Sequence, residues 1–365
     1  MQMKTPTHVF TKTDSAASEW AIDDDVVRLR EWGTDKRHVL PPPPTNECTV
    51  GAAAVCAIRL DDPSQQVSRL HARLIRAETG WLLRDERSKN GVRIDGARRS
   101  EIMLTPGIEV GIGRTTLIAE SVRSIELRDF LARLLGWGAS QIEIVDRALR
   151  SVRMAAARRV ALVLCGDGDL VPTAYSIHRR ARNSHRPFIV CDPRRLPRKA
   201  NVRSAQSYTT GMEALPVAAG GSLCVRTGRL PPDFGELVEA LRAPDARIQL
   251  IVCGDELHDC ERYCVIPIAI PSLASRGEEV DRIITEYAAD AIAELGTSGS
   301  EFPAIDHAWV REHAATLPEI EKATARLVAL RAAPSLSNAA ARLGMAPVSL
   351  YRWIGRRSMP MKVLQ

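Results

Sequence analysis

The residue types that could support catalysis are scattered along the chain and do not form a recognisable catalytic set. His178 and His185 lie in a basic helix and loop, and neither accompanies a nucleophile that it could activate. His258 lies near Cys260 and Cys264, but one histidine with two unevenly spaced cysteines is a poor metal site. We therefore expect a protein that is not an enzyme and that holds no metal.

A pair of glycines, Gly166 and Gly168, follows an apolar run typical of a strand. A loop that binds nucleotide phosphates needs glycines whose backbone N–H groups face the phosphates, then Lys, then Ser or Thr. Residues 165–172 contain no Gly-Lys-Ser/Thr, and their two aspartates add negative charge where a phosphate would lie. A lone Gly-x-Gly is weak evidence for any cofactor, so we expect none.

Positive charge is concentrated in two parts of a chain that has 50 Lys and Arg against 44 Asp and Glu. Residues 323–365 contain seven basic residues and no acidic one, a composition that suits the phosphate backbone of DNA. Residues 147–203 contain fourteen Lys or Arg and three Asp. This second stretch is either an electrostatic surface for DNA or an acidic partner, or a solvated helix face followed by a basic loop.

Length and composition favour a multidomain globular protein. At about 150 residues per domain, 365 residues predict two to three domains. No apolar stretch approaches the ~20 residues of a membrane helix, and the N-terminus lacks a signal core, so we expect a cytoplasmic protein. The eight cysteines are scattered without a CxxC pair, which argues against a zinc site or a disulfide framework.

The pattern of apolar residues divides the chain into four parts. Residues 1–25 are polar and contain several threonines, which is typical of a flexible leader. Residues 26–122 contain short β-type runs between turn signals and predict a β-sandwich. Residues 123–300 start with helical periodicity and then alternate apolar strands with helices, which predicts a parallel sheet. Residues 301–365 continue an all-helical pattern that begins near residue 277.

Five segments of the predicted sandwich occur in a characteristic order: TVG (49–51), IRLDDP (58–63), SRLHARL (68–74), GWLLRDERSKNGVRIDG (80–96) and LTPGIEVGIG (104–113). Together they resemble a forkhead-associated (FHA) domain, a family whose loops bind phosphothreonine peptides. The resemblance implies that Ser68 donates to the phosphate and that Asn90 holds the peptide backbone. It also implies that Arg69 and Lys89 supply positive charge beside them.

One position departs from the usual FHA pattern. The family usually has Gly-Arg where this chain has Gly51-Ala52, and that arginine grips the phosphate. Either Arg69 compensates and phosphopeptide binding is retained, or the domain is a plain protein-binding module. In both cases the resemblance implies that His71 braces the loop from inside.

The middle of the chain matches a second family by the order of its segments, which are residues 124–169, 174–193, 218–225, 247–259 and 265–284. They resemble the AAA+ domain of bacterial enhancer-binding proteins, the activators of the alternative sigma factor, sigma-54. The resemblance implies an α/β core with a helical lid. Arg226-Thr227 stands where the metal-site acids would be, and no GAFTGA-type segment is present between residues 192 and 220. We therefore expect a catalytically inactive, AAA+-like core.

Residues 334–357 read PSLSNAAARLGMAPVSLYRWIGRR. Ser335 or Ser337 can cap a first helix. Gly344 permits a turn, and Pro347 suits the start of a second helix. The segment resembles the Fis-type helix-turn-helix that ends the same activators. The residues assigned to DNA are Ser349, Tyr351, Arg352, Arg356 and Arg357. Ser349 and Arg352 are assigned to base edges or nearby phosphates, and Arg356 and Arg357 to phosphates.

Two further patterns accompany this segment. Leu343, Leu350 and Ile354 are expected to point inward at helical spacing. The preceding helix, 318–333, repeats apolar residues at Ile320, Ala323, Leu327 and Leu330. In the resembling family this helix helps to pair two copies, and the alternative is an intramolecular core stripe.

Together these features predict a multidomain DNA-binding transcription regulator with an all-β FHA sandwich, an inactive AAA+-like α/β core and a helical DNA reader. An ATP-dependent sigma-54 activator and an FHA signalling adaptor with protein partners are the alternatives. The expected partners are double-stranded DNA, a Thr-phosphorylated protein or the chain's own leader, and further copies in a homodimer or higher oligomer. No membrane partner is expected, and the protein is expected to associate with the nucleoid.

Overall fold

The computed structural model describes the residues 25–158, 160–181, 185–194, 205–243, 246–256, 267–297 and 301–356. The chain separates into two compact units. The first comprises Met1–Ala132, Trp137–Arg158 and Arg180–Arg182, and the second comprises Arg133–Gly136, Arg159–Arg179 and Asn183–Gln365. This division follows chain contacts and not function, so the domain boundaries at 25, 122 and 300 stay predictions.

The first unit contains short strands throughout the region where the sequence predicts them. They are β1 Val26–Glu31, β2 Arg37–Val39, β3 Glu47–Gly51, β4 Ile58–Arg59, β5 Ala72–Ala77, β6 Gly80–Asp85, β7 Val92–Ile94, β8 Ala97–Arg99, β9 Glu101–Met103, β10 Glu109–Ile112 and β11 Thr115–Ser121. β8 and β9 were not predicted from the sequence, because each has three residues and at most one buried side chain.

Two sheets form this sandwich, in the orders β2-β1-β11-β10-β7-β8 and β4-β3-β5-β6-β9. Alternating residues of the strands turn inward and form one apolar core. Five core residues at most 2% exposed are Leu29, Val50, Leu74, Trp81 and Leu117. The all-β sandwich predicted from the sequence is confirmed.

A buried ion-pair network joins the sandwich to helix α2 (Ile142–Arg158), which follows α1 (Val122–Leu135). Arg30 Nε lies 2.7 Å from Glu120, and its Nη2 lies 2.6 Å from Asp146 on α2. All three side chains are fully shielded from solvent. Burial alone would lower the pKa of Arg30, but its bonds to Asp146 and Glu120 raise that pKa above its ordinary value.

The second unit contains a six-stranded, all-parallel sheet in the order β14-β13-β15-β16-β12-β17 among its described residues. Its strands are β12 Leu162–Cys165, β13 Phe188–Cys191, β14 Gln206–Tyr208, β15 Ser222–Arg226, β16 Gln249–Gly254 and β17 Ile268–Ala269. Its helices are α3 Val171–Ala181, α4 Gly211–Ala214 and α5 Phe234–Leu241. The predicted parallel α/β region is confirmed. β14 and β17 are too short to give a clear sequence signal.

The rest of the second unit is helical, as predicted: α6 Val280–Glu294, α7 Ala304–His313, α8 Leu317–Ala332, α9 Leu336–Arg342 and α10 Pro347–Gly355. The apolar stripe of α8 lies inside the chain, where α8 packs against α6. Its residues Ile320, Ala323, Leu327 and Leu330 are at most 6% exposed. These four residues are thus covered within the chain, as the intramolecular alternative requires, and the pairing of two copies stays a prediction. No helix in the described ranges is long and apolar enough to cross a membrane.

Candidate functional sites

Three loops of the first unit meet at one end of the sandwich, and Gly51 is the residue that lets them do so. An ideal Cβ on Gly51 would lie 2.2 Å from the carbonyl oxygen of Arg69, so only glycine permits this approach. The amides of Ala52 and Ala53 then donate to the carbonyls of Ser68 and Arg69, both at 3.1 Å. The loop after β3 is thereby fastened to the loop before β5.

His71 joins two of these loops from below. Its Nδ1 accepts from the backbone N–H of Ser68 at 3.0 Å, and its Nε2 lies 3.2 Å from the carbonyl oxygen of Gly91. A carbonyl only accepts, so Nε2 carries the proton in this arrangement. The ring is fully buried, which agrees with the bracing role that the resemblance implies.

The four residues that the resemblance assigns to the phosphopeptide lie together on two facing loops. Ser68 Oγ accepts from the backbone N–H of Lys89 at 3.1 Å, and Asn90 Nδ2 donates to the carbonyl of Gln66 at 2.8 Å. The side chains of Arg69 and Lys89 are exposed. Hydroxyl, amide and cations therefore reach one surface, although their roles in binding stay predictions.

Ala52 occupies the position where an arginine is usual, and it packs against the sandwich core. It offers no donor to a phosphate. A guanidinium missed by the sequence analysis lies nearby, because Arg98 Nη2 is 3.4 Å from the carbonyl oxygen of Lys89. The only sequence signal for it was the basic pair Arg98-Arg99 after the turn at Asp95-Gly96.

The carboxyl ends of the parallel strands in the second unit form the crevice where open α/β sheets bind ligands. The chain leaves β13 toward the edge strand β14 and leaves β15 in the opposite direction toward β16, so the topological switch lies between these two strands. Asp192 follows β13 directly and Arg226 ends β15. Their side chains meet, with Arg226 Nη1 3.1 Å from Asp192 Oδ2.

An internal carboxylate lies at the loop that the AAA+ resemblance would assign to a nucleotide phosphate. Asp169 lies at the N-terminus of α3, where its Oδ1 accepts from the backbone N–H of Val171 at 3.3 Å. Arg226 Nη2 contacts both of its carboxylate oxygens, at 2.9 and 3.0 Å. A helix N-terminus and an arginine are the groups that bind phosphate, and here Asp169 uses both. These residues therefore do not fit a bound nucleotide.

The cysteines of the second unit that the structure describes are all buried. Burial, followed by the nearby charges of Asp233 and Asp192, raises the pKa of Cys191 to about 12, so the thiolate is scarce at neutral pH. Cys224 and Cys253 are buried with their sulfur atoms 3.8 Å apart. Within the described part of the chain, no three His, Cys, Asp or Glu side chains are grouped as metal ligands. The poor candidates His258, Cys260 and Cys264 lie outside the described residues.

Three of the fourteen basic residues of the 147–203 stretch have acidic partners within their own unit. Arg147 pairs with Glu143 on the same helix, and Arg150 contacts Glu109. In the second unit, Arg179 lies 3.2 Å from Glu294. Most of the basic loop that follows β13 lies outside the described residues. These pairs favour the interpretation of a solvated, ion-paired helix surface over a free basic patch.

Two short helices near the C-terminus, α9 and α10, are joined by a tight turn. Ser335, one of the two candidate caps, accepts from the backbone N–H of Asn338 at 3.2 Å and begins α9. Gly344 has φ +62°, a value that favours glycine, and ends the helix. Ala340 is fully buried where the helices approach, and Pro347 lies in the first turn of α10.

α10 has one buried and one exposed face. Leu350 and Trp353 are buried, and Ile354, which was predicted to point inward, is only half-buried. Trp353 was not among the residues predicted to point inward, and the centroid of its ring lies 5.6 Å from that of Trp309 on α7. The residues of the exposed face are Val348, Ser349, Tyr351, Arg352 and Arg356. Arg357, also assigned to DNA, lies outside the described residues.

Comparison with known proteins finds similarity for the first unit. Residues 33–122 match the family described as the cytoplasmic domain of an inner membrane component of type III secretion (T3SS). Among solved structures, an FHA domain of Chlamydia trachomatis is 26% identical with a TM-score of 0.23, and the match covers 25% of this chain and 92% of that one. The N-terminal sandwich is similar to FHA domains.

A second solved structure is longer than the region of similarity. Mycobacterium tuberculosis EmbR, solved in complex with a low-affinity phosphopeptide, is 24% identical with a TM-score of 0.25. That match covers 30% of this chain and 28% of EmbR. No curated protein matches the chain. These two matches cover 30% and 25% of the chain, and the α/β and helical regions follow the sandwich.

Proposed function

We propose that this chain is a DNA-binding transcription regulator with a phosphothreonine-reading FHA domain and an AAA+-like core that does not hydrolyse ATP. The observation that carries the proposal is the exposed face of α10, which presents Ser349, Tyr351, Arg352 and Arg356 beside a capped helix and a tight turn. A helix of this kind fits the major groove of DNA, and its arginines suit base edges and phosphates. The segment acts as a helix-turn-helix in this proposal.

In this proposal the regulatory phosphothreonine ligand binds at the loops of the first unit. Ser68 and Asn90 are held by Lys89 and Gln66 on facing loops, and exposed cations lie beside them. The ligand in this proposal is a Thr-phosphorylated protein or the chain's own leader, with its threonines at 5, 7, 11 and 13, outside the described residues. Phosphopeptide binding then alters assembly or DNA affinity.

The core transmits this signal without nucleotide chemistry. Because Asp169 already uses the α3 N-terminus and Arg226, we expect Mg-ATP to shift the melting temperature of the full chain by less than about 1 °C. Differential scanning fluorimetry measures this shift. Magnesium-dependent ATP turnover that Arg226→Ala abolishes would instead support the alternative, an ATP-dependent sigma-54 activator.

Footprinting with the full-length protein tests the proposed DNA binding by α10. DNase footprinting of the region upstream of its own coding sequence, at two salt concentrations, is expected to show protection of a defined site. The double variant Arg352→Ala/Arg356→Ala should weaken binding by at least about tenfold, because two phosphate or base contacts are lost. Arg242→Ala is the matched control, since Arg242 is exposed and pairs with Glu239.

Two other outcomes would count against this function. Protection that is diffuse and disappears with salt, or that the double variant retains, would remove α10 as the sequence reader. The FHA signalling adaptor with protein partners would then be the better hypothesis. A palindromic footprint with half-sites one helical turn apart would add that the chain binds as a dimer.

A further inference from the structure

The hairpin formed by β7 and β8 places two arginines directly opposite each other. Arg93 and Arg98 are register partners on the antiparallel strands, so their side chains share one face of the sheet. Both are exposed. Like charges directly opposite each other destabilise a strand pair, so this arrangement costs stability and needs another explanation.

In the part of the chain that the structure describes, no acidic side chain of the neighbouring strand β10 pairs with these arginines. The next position in the same row is Gly111, which has no side chain. Glu109, two residues earlier on β10, is already engaged by Arg150. Among the described residues, neither Arg93 nor Arg98 forms an ion pair. The outer face of the hairpin therefore carries two exposed arginines that form no ion pair in the described structure.

This face is continuous with the proposed phosphopeptide loops. Arg98 Nη2 lies 3.4 Å from the carbonyl oxygen of Lys89, and the backbone N–H of Lys89 donates to Ser68 Oγ at 3.1 Å. The side chain of Arg98 also covers Gly91, where an ideal Cβ would lie 3.2 Å from its Cδ. Arg98 thus lies beside the loop that carries Lys89 and Asn90.

We propose that Arg93 and Arg98 form an anion subsite that selects phosphothreonine peptides with aspartate or glutamate beside the phosphothreonine. The inference rests on the phosphopeptide function proposed above and adds the class of peptide. A carboxylate between two guanidinium groups makes charge-assisted hydrogen bonds and removes the repulsion between the arginines. A peptide without acidic flanks leaves that repulsion in place.

Fluorescence anisotropy with the full-length protein tests this subsite. One labelled peptide carries phosphothreonine with three aspartates on each side, and its partner carries asparagine at those six positions. The natural chain is expected to bind the aspartate peptide about tenfold more tightly at low salt. Arg93→Gln/Arg98→Gln should reduce this preference to about twofold or less while it still binds the asparagine peptide.

Arg84→Gln is the control, because Arg84 is an exposed arginine of the same sandwich that already pairs with Glu101. It should keep the full preference. An aspartate preference that survives in the double variant would overturn the inference, and so would equal binding of both peptides by the natural chain. If the natural chain binds neither phosphopeptide, the proposed phosphothreonine function fails together with the subsite. Binding without an aspartate preference overturns the subsite alone, so the two failures can be told apart. Circular dichroism confirms that each variant is folded.

Discussion

Asp146→Ala is expected to lower the stability of the first unit by about 3–5 kcal/mol, the usual cost of removing one partner from a buried ion pair. The carboxylate of Asp146 receives Arg30 Nη2 at 2.6 Å and the backbone N–H of Gly33 at 2.9 Å. Without it, the fully buried guanidinium of Arg30 keeps only Glu120 as an acidic partner. Residues 142–158 should then separate from the sandwich more readily.

Hydrogen exchange followed by mass spectrometry measures this effect segment by segment, which suits a chain whose units need not unfold together. Exchange should accelerate in α2 and in β1. Arg147→Ala is the control on the same helix, since Arg147 is exposed and pairs only with Glu143 in the described structure. If Asp146→Ala leaves exchange in α2 and β1 at the natural rate, the network does not hold these elements together.

Gly51→Ala is expected to abolish measurable phosphopeptide binding. The new Cβ would lie 2.2 Å from the carbonyl oxygen of Arg69, and a backbone group cannot give way as a flexible side chain does. The bonds from Ala52 and Ala53 to the facing loop would break, and Ser68 would lose its position. Anisotropy with an uncharged-flank phosphothreonine peptide measures the loss.

Gly111→Ala provides the matched control for this prediction. An ideal Cβ there meets Arg93 Cβ at 3.6 Å, which is ordinary van der Waals contact. This variant should bind the same peptide within about twofold of the natural chain. Gly51→Ala that binds equally well would show that the close approach of the loops is unnecessary for the ligand.

Local patterns in the sequence determined most of the secondary structure. Alternating apolar residues between turn residues favour a half-buried strand, so β5 and β6 could be predicted without tertiary information. The capping serine, the turn glycine and Pro347 likewise act within a few residues of themselves. The absence of the nucleotide-binding motif Gly-Lys-Ser/Thr from residues 165–172 could also be seen directly in the sequence.

Tertiary structure alone decided which distant charges meet. Arg30 and Asp146 are 116 positions apart, and Arg226 and Asp169 are 57 positions apart, so no local pattern relates them. The stripe of α8 shows the same limit, because helical periodicity identifies an apolar face but not what covers it. The position of Arg98 also depends on tertiary structure, because its three-residue strand places it beside Lys89 only after β7 and β8 have paired. Spacing along the chain determines elements, whereas packing determines the partners of each buried or clustered charge.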